Sequence, residues 1–203
     1  HLLEDLIIEQ ALCREALRLA LDQHAQFATS LKGVQRRRTV ADAFAQSGSG
    51  GTLVDMMELN LVIGSGGVLS HAPRREQAAL MMIDAFQPTG VTQLAVDSIF
   101  MMPHLGVLSE RAPEAAMEVF WRDCLVPLGA VVSPAGRTKA GRRLLKAVLT
   151  GPDGTQTIEL LGGELKRVPL PDDATAKLEI HPDRGLDVGA EIGRASCRER
   201  VYI

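Results

Sequence analysis

A glycine-rich turn directly after a short apolar segment constrains this sequence more than any other feature. Residues 59–63 predict a short buried strand, and Gly-Ser-Gly-Gly follows at positions 64–67. Glycine has no Cβ, so the backbone of such a turn can adopt positive φ and approach a ligand closely. We expect a helix to begin near Pro73 with Ser70 as its N-cap, because proline suits a first helical turn and serine caps helices well. Free N–H groups at that helix start would then face the turn.

The residues of the turn alone allow two interpretations. A nucleotide could lie against the exposed backbone, or the glycines could serve only the packing of the strand against its helix. The spacing matches neither the phosphate loop that ends in Lys-Ser/Thr nor the dinucleotide-binding fingerprint. Both interpretations therefore stay open at this point.

Composition limits the classes of function. The chain has 203 residues, of which 46% are hydrophobic and 23% charged, as in one large or two small globular domains. A net charge of −3 and only 3% aromatic residues give neither a basic footprint nor a stacking surface, so we expect no nucleic-acid partner. Apolar runs stay below the roughly 18 residues that a membrane helix needs, so we expect no membrane partner.

The cysteines and the first residue bear on the setting of the protein. Cys13, Cys124 and Cys197 are scattered, which predicts reduced thiols, a cytoplasmic location and no metal site. His1 is not a start residue, and helical sequence follows it at once. We therefore expect the chain to be a piece of a longer protein.

Helical patterns dominate the chain up to residue 125. Residues 2–27 predict one long helix or two abutting ones, with His24 on the buried stripe. Residues 36–38 (Arg-Arg-Arg) and 47–51 predict a solvated charge run and a flexible loop, and residues 53–59 a short helix. Further helices are expected at 74–86, within 94–110 after a short strand or turn, and at 113–125. Asp97 could cap a turn or meet a ligand, and capping is the favoured interpretation.

Short strands dominate the chain after residue 128. Segments 144–150 and 155–161 flank Gly-Pro-Asp-Gly and predict a hairpin, with further strands at 130–132, 164–170 and 177–180. The leading edge of this small β module is basic, and two explanations stay open, namely protection of an edge strand against aggregation and an acidic partner. Its cations are Arg137, Lys139, Arg142, Arg143 and Lys146.

Several segments taken together resemble the MutL/GlmL family. They are residues 62–73, 92–97 and 103–110, and later 160–165 and 178–189. The family is that of the accessory protein encoded beside adenosylcobalamin-dependent glutamate mutase, which is unrelated to the mismatch-repair protein of similar name. It is similar in turn to the actin, sugar-kinase and heat-shock-chaperone (ASKHA) ATPase superfamily.

This resemblance implies an α/β fold in two parts. Residues 1–112 would be the second half of an ASKHA-type ATPase domain, and residues 113–193 a connecting helix with a small β module. In such domains a Gly-Gly turn after a strand holds the adenosine of ATP. The implied contacts are Gly64, Ser65, Gly66, Gly67 and Ser70.

The resemblance also implies a function. The protein would be an ATP-binding, chaperone-like or reactivating factor that binds the subunits of an adenosylcobalamin-dependent mutase. The Asp-x-Gly-x-Thr phosphate loop of the superfamily has no match in this chain. Mg²⁺ binding and any ATPase activity are therefore expected only when the missing first half is present.

Two other functions compete with this one. The first is an interaction module that binds a partner and no nucleotide. The second is an enzyme complete in this chain that uses His71 or His104 with Asp97, and it is disfavoured because no full catalytic set stands out.

The end of the chain departs from the family pattern. Residues 194–203 have no hydrophobic period and look like translated non-native sequence. We expect this tail to be disordered or loosely attached.

Overall fold

A computed structural model describes residues 3–34, 54–170, 174–189, 195–198 and 200–202, with only the backbone described for 27–34 and from 195 onward. The arginine run at 36–38 and the loop at 47–51 lie outside the described residues. The elements, in chain order, are α1 (Leu3–Val34), a 3-10 turn (Met56–Glu58), β1 (Leu61–Gly64), α2 (Gly67–Ser70), α3 (Arg75–Phe86), β2 (Gly90–Asp97), α4 (Met102–Ser109), α5 (Pro113–Val119) with a π-helical turn (Phe120–Cys124), β3 (Leu125–Ser133), β4 (Arg143–Gly151), β5 (Gly154–Leu161), β6 (Arg167–Pro169), β7 (Thr175–Pro182), β8 (Ala195–Arg198) and β9 (Arg200–Tyr202).

The first sheet is mixed, which confirms the α/β class. Its order is β1-β2-β3-β9-β6, with β1 parallel to β2 and β3 antiparallel to β2. Gly64 pairs with Val96, so the carboxyl ends of β1 and β2 lie side by side. The glycine turn continues directly from Gly64, the last residue of β1, and Asp97 is the last residue of β2. Ligand sites of open α/β sheets lie at such an edge.

Helix α1 is continuous, which settles the choice between one helix and two. Its half-buried positions recur every three or four residues, and the members Cys13 and Leu17 pack against the core beneath α3. Met81 and Met82 of α3 are buried in that core, as predicted. His24 is exposed, contrary to prediction, because the half-buried stripe is formed by Leu6, Gln10, Cys13, Leu17, Leu21 and Ala25.

The second sheet has the order β5-β4-β7-β8. Gly151 pairs with Gly154 across the turn between β4 and β5, which confirms the predicted hairpin. Strand β3 serves both cores, since Ala130 packs with the second sheet and Leu128 packs beneath α3. The domain boundaries proposed from the sequence stay predictions.

The basic residues of the second sheet do not guard an edge. Arg143 and Lys146 lie on β4, which is paired on both sides by β5 and β7. Arg143 also makes an ion pair with Asp183 at 2.9 Å. Edge protection is therefore the wrong explanation for these two residues, and an acidic partner stays a prediction.

The expectation of a disordered tail is wrong for its backbone. Strand β8 pairs with β7, and β9 pairs with both β3 and β6. A missing side-chain period did not prevent pairing, because an open sheet edge offers backbone groups to any extended segment. The non-native origin of the tail stays a prediction.

Length and polarity rule out a membrane-crossing role for every helix in the described ranges.

Candidate functional site

The local structure after β1 differs from the prediction. Gly66 precedes a helix of only four residues, α2, and the longer α3 starts at Arg75. The N-cap of α3 is Arg74, whose N–H donates to the Gln77 Oε1 atom at 3.0 Å. The long helix begins close to Pro73, as predicted, but Ser70 as its cap is wrong, because Ser70 is the last residue of α2. The glycine turn leads into the four-residue α2 and not into the long helix, so the helix-dipole argument for anion binding, which assumed the long helix, loses its basis.

Ser70 instead ties the two strand ends together. Its hydroxyl is buried and donates to the backbone carbonyl oxygen of Asp97 at 2.5 Å. The Ser70 carbonyl in turn accepts a hydrogen bond from the Arg75 guanidinium at 2.8 Å. Ser70 therefore holds α2 against the end of β2.

Replacing Ser70 by alanine should lower the free energy of unfolding by about 1 kcal/mol, because a buried hydrogen bond is lost. Urea unfolding of the two proteins measures this change. Ser109→Ala is a matched control, because the Ser109 hydroxyl bonds to the Gly106 carbonyl at an exposed position on α4. We expect the control to change stability by less than about 0.5 kcal/mol. Equal effects of the two substitutions would show that the contact with Asp97 is unimportant.

The fold constrains the three glycines of the turn to different extents. A Cβ on Gly64 would lie 2.9 Å from both Leu69 Cδ1 and Met82 Sδ, so packing excludes a side chain there. Gly66 has φ +107°, which side chains rarely tolerate. A Cβ on Gly67 would meet nothing within 4 Å, and its φ is not in the positive range. The fold therefore gives no reason for glycine at position 67.

Gly67 lines a groove between α1 and α2 of about 960 Å³, within the range of small-molecule sites. Most of the lining side chains are apolar, and Glu9 and His71 are the polar exceptions apart from the Cys13 thiol. The lining residues are Leu3, Leu6, Glu9, Leu12, Cys13, Ala16, Gly67, Val68, His71 and Pro73. The α1 wall was not predicted, although Leu3 and Leu12, 71% and 65% exposed, lie beyond the half-buried stripe and were a signal of a second apolar face.

The turn also carries an unsatisfied polar group. The Ser65 Oγ atom is buried and has no hydrogen-bond partner among the described residues. Buried polar side-chain atoms in folded proteins nearly always have a partner. The Ser65 hydroxyl therefore has unused hydrogen-bonding capacity, but its oxygen is shielded and the residue does not line the groove beside Gly67.

Asp97 is committed to the backbone, which confirms the capping interpretation. Its carboxylate accepts the N–H groups of Met102 at 3.0 Å, Met101 at 3.2 Å and Ile99 at 3.4 Å. These bonds close the turn between β2 and α4. Within the described ranges, neither His71 nor His104 bonds to Asp97, so the structure does not assemble the catalytic set considered above.

The described thiols are not activated. Burial raises the pKa of Cys13 in the groove. Burial also raises the pKa of Cys124, and the charges of Asp97 and Asp123 raise it further. Both groups therefore stay protonated at neutral pH and are poor nucleophiles. The described residues also contain no cluster of three or more His, Cys, Asp or Glu side chains, so they do not by themselves fit a magnesium site.

Comparison with known proteins supports the family. A family model described as MutL protein matches residues 2–124, which is more than half of the chain and includes the glycine turn and the groove. The later segments of the resemblance, 160–165 and 178–189, lie beyond the matched range. Neither the curated proteins nor the solved structures gave a match.

Proposed function

Because this chain belongs to the MutL protein family, we propose that it supplies the adenosine-holding part of an ATP site in a mutase accessory protein. The client would be an adenosylcobalamin-dependent mutase such as glutamate mutase, and the accessory protein would act as a reactivating or chaperone-like factor. In this proposal the first sheet and its helices are the second half of an ASKHA-type ATPase domain, and the second sheet is a downstream module.

The main support for this proposal is that the fold does not require glycine at position 67. Gly64 is explained by packing and Gly66 by its positive φ, whereas a side chain on Gly67 would project into open space beside the groove. A small residue at the wall of a groove lets a ligand approach the backbone. Adenosine of ATP lying against Gly66 and Gly67 would use this access.

The chemistry of the groove suits the nucleoside part of ATP. Leu6, Leu12 and Val68 offer apolar surface for a purine ring, as small-molecule sites usually do. Bound ATP would supply a phosphoanhydride whose cleavage can drive a conformational change, while these residues would only hold and orient the nucleoside.

The alternative of an interaction module also has a supporting observation. Large apolar side chains are exposed on and beside α4 and α5, and such clusters are typical of protein-binding surfaces. They include Ile99, Phe100, Val107, Leu108, Met117 and Trp121. The two functions differ in one respect, since only the ATP site requires an open groove at Gly67.

Cysteine labelling tests the ATP site directly. Cys13 lines the groove and is partly accessible, whereas Cys124 is buried elsewhere. With free ATP at ten times its Kd, alkylation of Cys13 should slow about tenfold, because only the unliganded fraction reacts. The reaction is followed at mildly alkaline pH, since the pKa of Cys13 is raised.

Mass spectrometry of the peptides separates the reaction of Cys13 from that of Cys124 and Cys197. The Cys124 rate is the internal control and should not respond to ATP. Inorganic triphosphate should protect Cys13 poorly, because the groove would hold the nucleoside. Unchanged labelling of Cys13 at saturating ATP would contradict the proposal.

A further inference from the structure

We infer that the loop between β3 and β4 is a docking surface for an acidic segment of a partner protein. Three cations of this loop, Arg137, Lys139 and Arg142, carry the inference. All of them are exposed, and none lies on a strand, so protection of an edge strand does not explain them. The docking surface needs no nucleotide, so the inference is independent of the proposed function.

The backbone holds the three cations close together. The Arg142 N–H donates to the Lys139 carbonyl at 3.2 Å, which closes a four-residue turn. Such a turn brings its first and last Cα atoms within about 7 Å. Gly141, the third residue, has φ +75°, as in a type II turn. Arg137 lies two residues before the turn, so its Cα is also within about 7 Å of that of Lys139. Because charges interact over about 8 Å at physiological salt, the loop concentrates positive potential.

Contacts with neighbouring segments fix the backbone of the loop. At its start, Ala135 and Asp187 exchange two backbone hydrogen bonds of 2.7 and 3.0 Å. At its end, the Gly162 N–H donates to the Arg142 carbonyl at 2.8 Å. A Cβ on Gly162 would lie 2.5 Å from the Lys139 carbonyl oxygen, so this close packing of the loop depends on glycine. A loop that is fixed in advance loses less conformational entropy when a partner binds.

The acidic residues on the segments that hold the loop already have partners. Asp183 pairs with Arg143 at 2.9 Å, and Glu164 pairs with Lys166 at 3.3 Å. The Asp187 carboxylate accepts a backbone N–H at 2.9 Å. Among the described residues, none of the three loop cations makes an ion pair. The carboxylates of a partner would supply the missing counter-charge.

An acidic protein segment fits this loop better than a membrane or a nucleic acid does. Anionic membranes are recognised by clusters of about four to eight Lys and Arg residues, and nucleic acids by a wide basic surface. The loop has only three cations and no aromatic side chain on which a base could stack, and the whole chain has a net charge of −3. A short segment with about three carboxylates matches the charge of the loop, since each Arg can bind a carboxylate through two N–H groups.

Fluorescence anisotropy of a labelled hexaglutamate peptide at low ionic strength tests the inference. Replacing all three loop cations by glutamine should weaken binding about tenfold, because three exposed charge contacts are lost. The control variant removes three exposed cations from other surfaces and so changes the net charge by the same amount. It combines Arg111→Gln, Arg122→Gln and Lys177→Gln. Binding by this control should change less than about twofold.

Gly162→Ala tests the fixed conformation of the loop without any change of charge. The added Cβ would force the Lys139 carbonyl to move, so the cations should shift and hexaglutamate binding should weaken about threefold. Gly106→Ala on α4 is the matched control, because a Cβ there meets nothing within 4 Å, and it should bind like the parent protein. Melting curves establish that each variant is folded.

Vesicles that contain phosphatidylserine and a short DNA duplex serve as competing probes. Failure of the parent protein to bind hexaglutamate, or equal binding by the two triple variants, would overturn the docking surface. Tighter binding of vesicles or DNA that is lost in the loop variant would overturn the assignment to an acidic protein. Parental binding by folded Gly162→Ala would overturn the role of the fixed conformation. None of these results bears on the ATP site, which the labelling of Cys13 tests separately.

Discussion

A Gly67→Val variant should fold like the parent protein and bind ATP roughly five- to hundredfold more weakly. The position has no positive φ and no neighbour within 4 Å of an added Cβ, so the fold should accept valine at little cost. The new side chain would occupy the groove wall against which adenosine is proposed to lie. Overpacking of a contact by the three added carbon atoms costs about 1–3 kcal/mol, which corresponds to that loss of affinity.

The matched control is Gly106→Val on α4. Gly106 is also helical, exposed and free of neighbours around an added Cβ, but it does not line the groove. Calorimetric titration should therefore give the parental Kd for this variant. Gly64→Val and Gly66→Val are poor tests, because the first clashes with Leu69 and Met82 and the second strains the backbone. If folded Gly67→Val binds ATP as the parent does, the turn is only structural and the interaction module becomes the better explanation.

Local sequence signals predicted some of this site well. The strand and the glycine turn were found because apolar runs and glycines act over a few residues. The extent of α3 was predicted to within one residue, but its cap was missed because the cap is Arg74, and arginine is not a preferred N-cap residue. Helix α2 was missed because four residues are too few to show a period.

The groove itself depends on contacts between distant parts of the chain. Glu9 and His71 are separated by more than sixty positions, and nothing in either local pattern indicates that α1 lies across α2. The same limit applies to β3. Its apolar residues predicted a strand, but its antiparallel pairing with β2 is a non-local choice of partner.

The hairpin at residues 151–154 was predicted correctly because its turn chemistry is contained in four residues. Ser70 shows the opposite case. Serine before an expected helix suggests a cap, yet the hydroxyl bonds to Asp97, twenty-seven positions away. A side chain with several possible partners is assigned reliably only when the three-dimensional neighbourhood is known.

Asp97→Ala should be the most destabilising of the substitutions considered, lowering the free energy of unfolding by about 2–4 kcal/mol. The side chain is fully buried, and its loss leaves three backbone N–H groups of the turn before α4 without their acceptor. Asp97→Asn should have a smaller effect, because the amide keeps one oxygen that accepts backbone N–H groups. Some stability should still be lost, because the side-chain NH₂ group faces the remaining N–H and cannot accept from it. Asp153→Ala, in the exposed hairpin turn, is the control and should change stability by less than about 0.5 kcal/mol.

Urea unfolding followed by circular dichroism measures these differences. The Ser98 N–H, beside Asp97, also bonds to the carbonyl of Cys124, which ties the end of β2 to the π-helical turn. Since the Asp97 carbonyl also holds the Ser70 hydroxyl, loosening the end of β2 should also loosen α2 and the Gly67 wall of the groove. We therefore expect Asp97→Ala to lose ATP affinity together with stability, whereas Gly67→Val loses affinity alone. A parental unfolding midpoint for Asp97→Ala would show that water replaces the carboxylate, and that the edge of the sheet is held in place by other contacts.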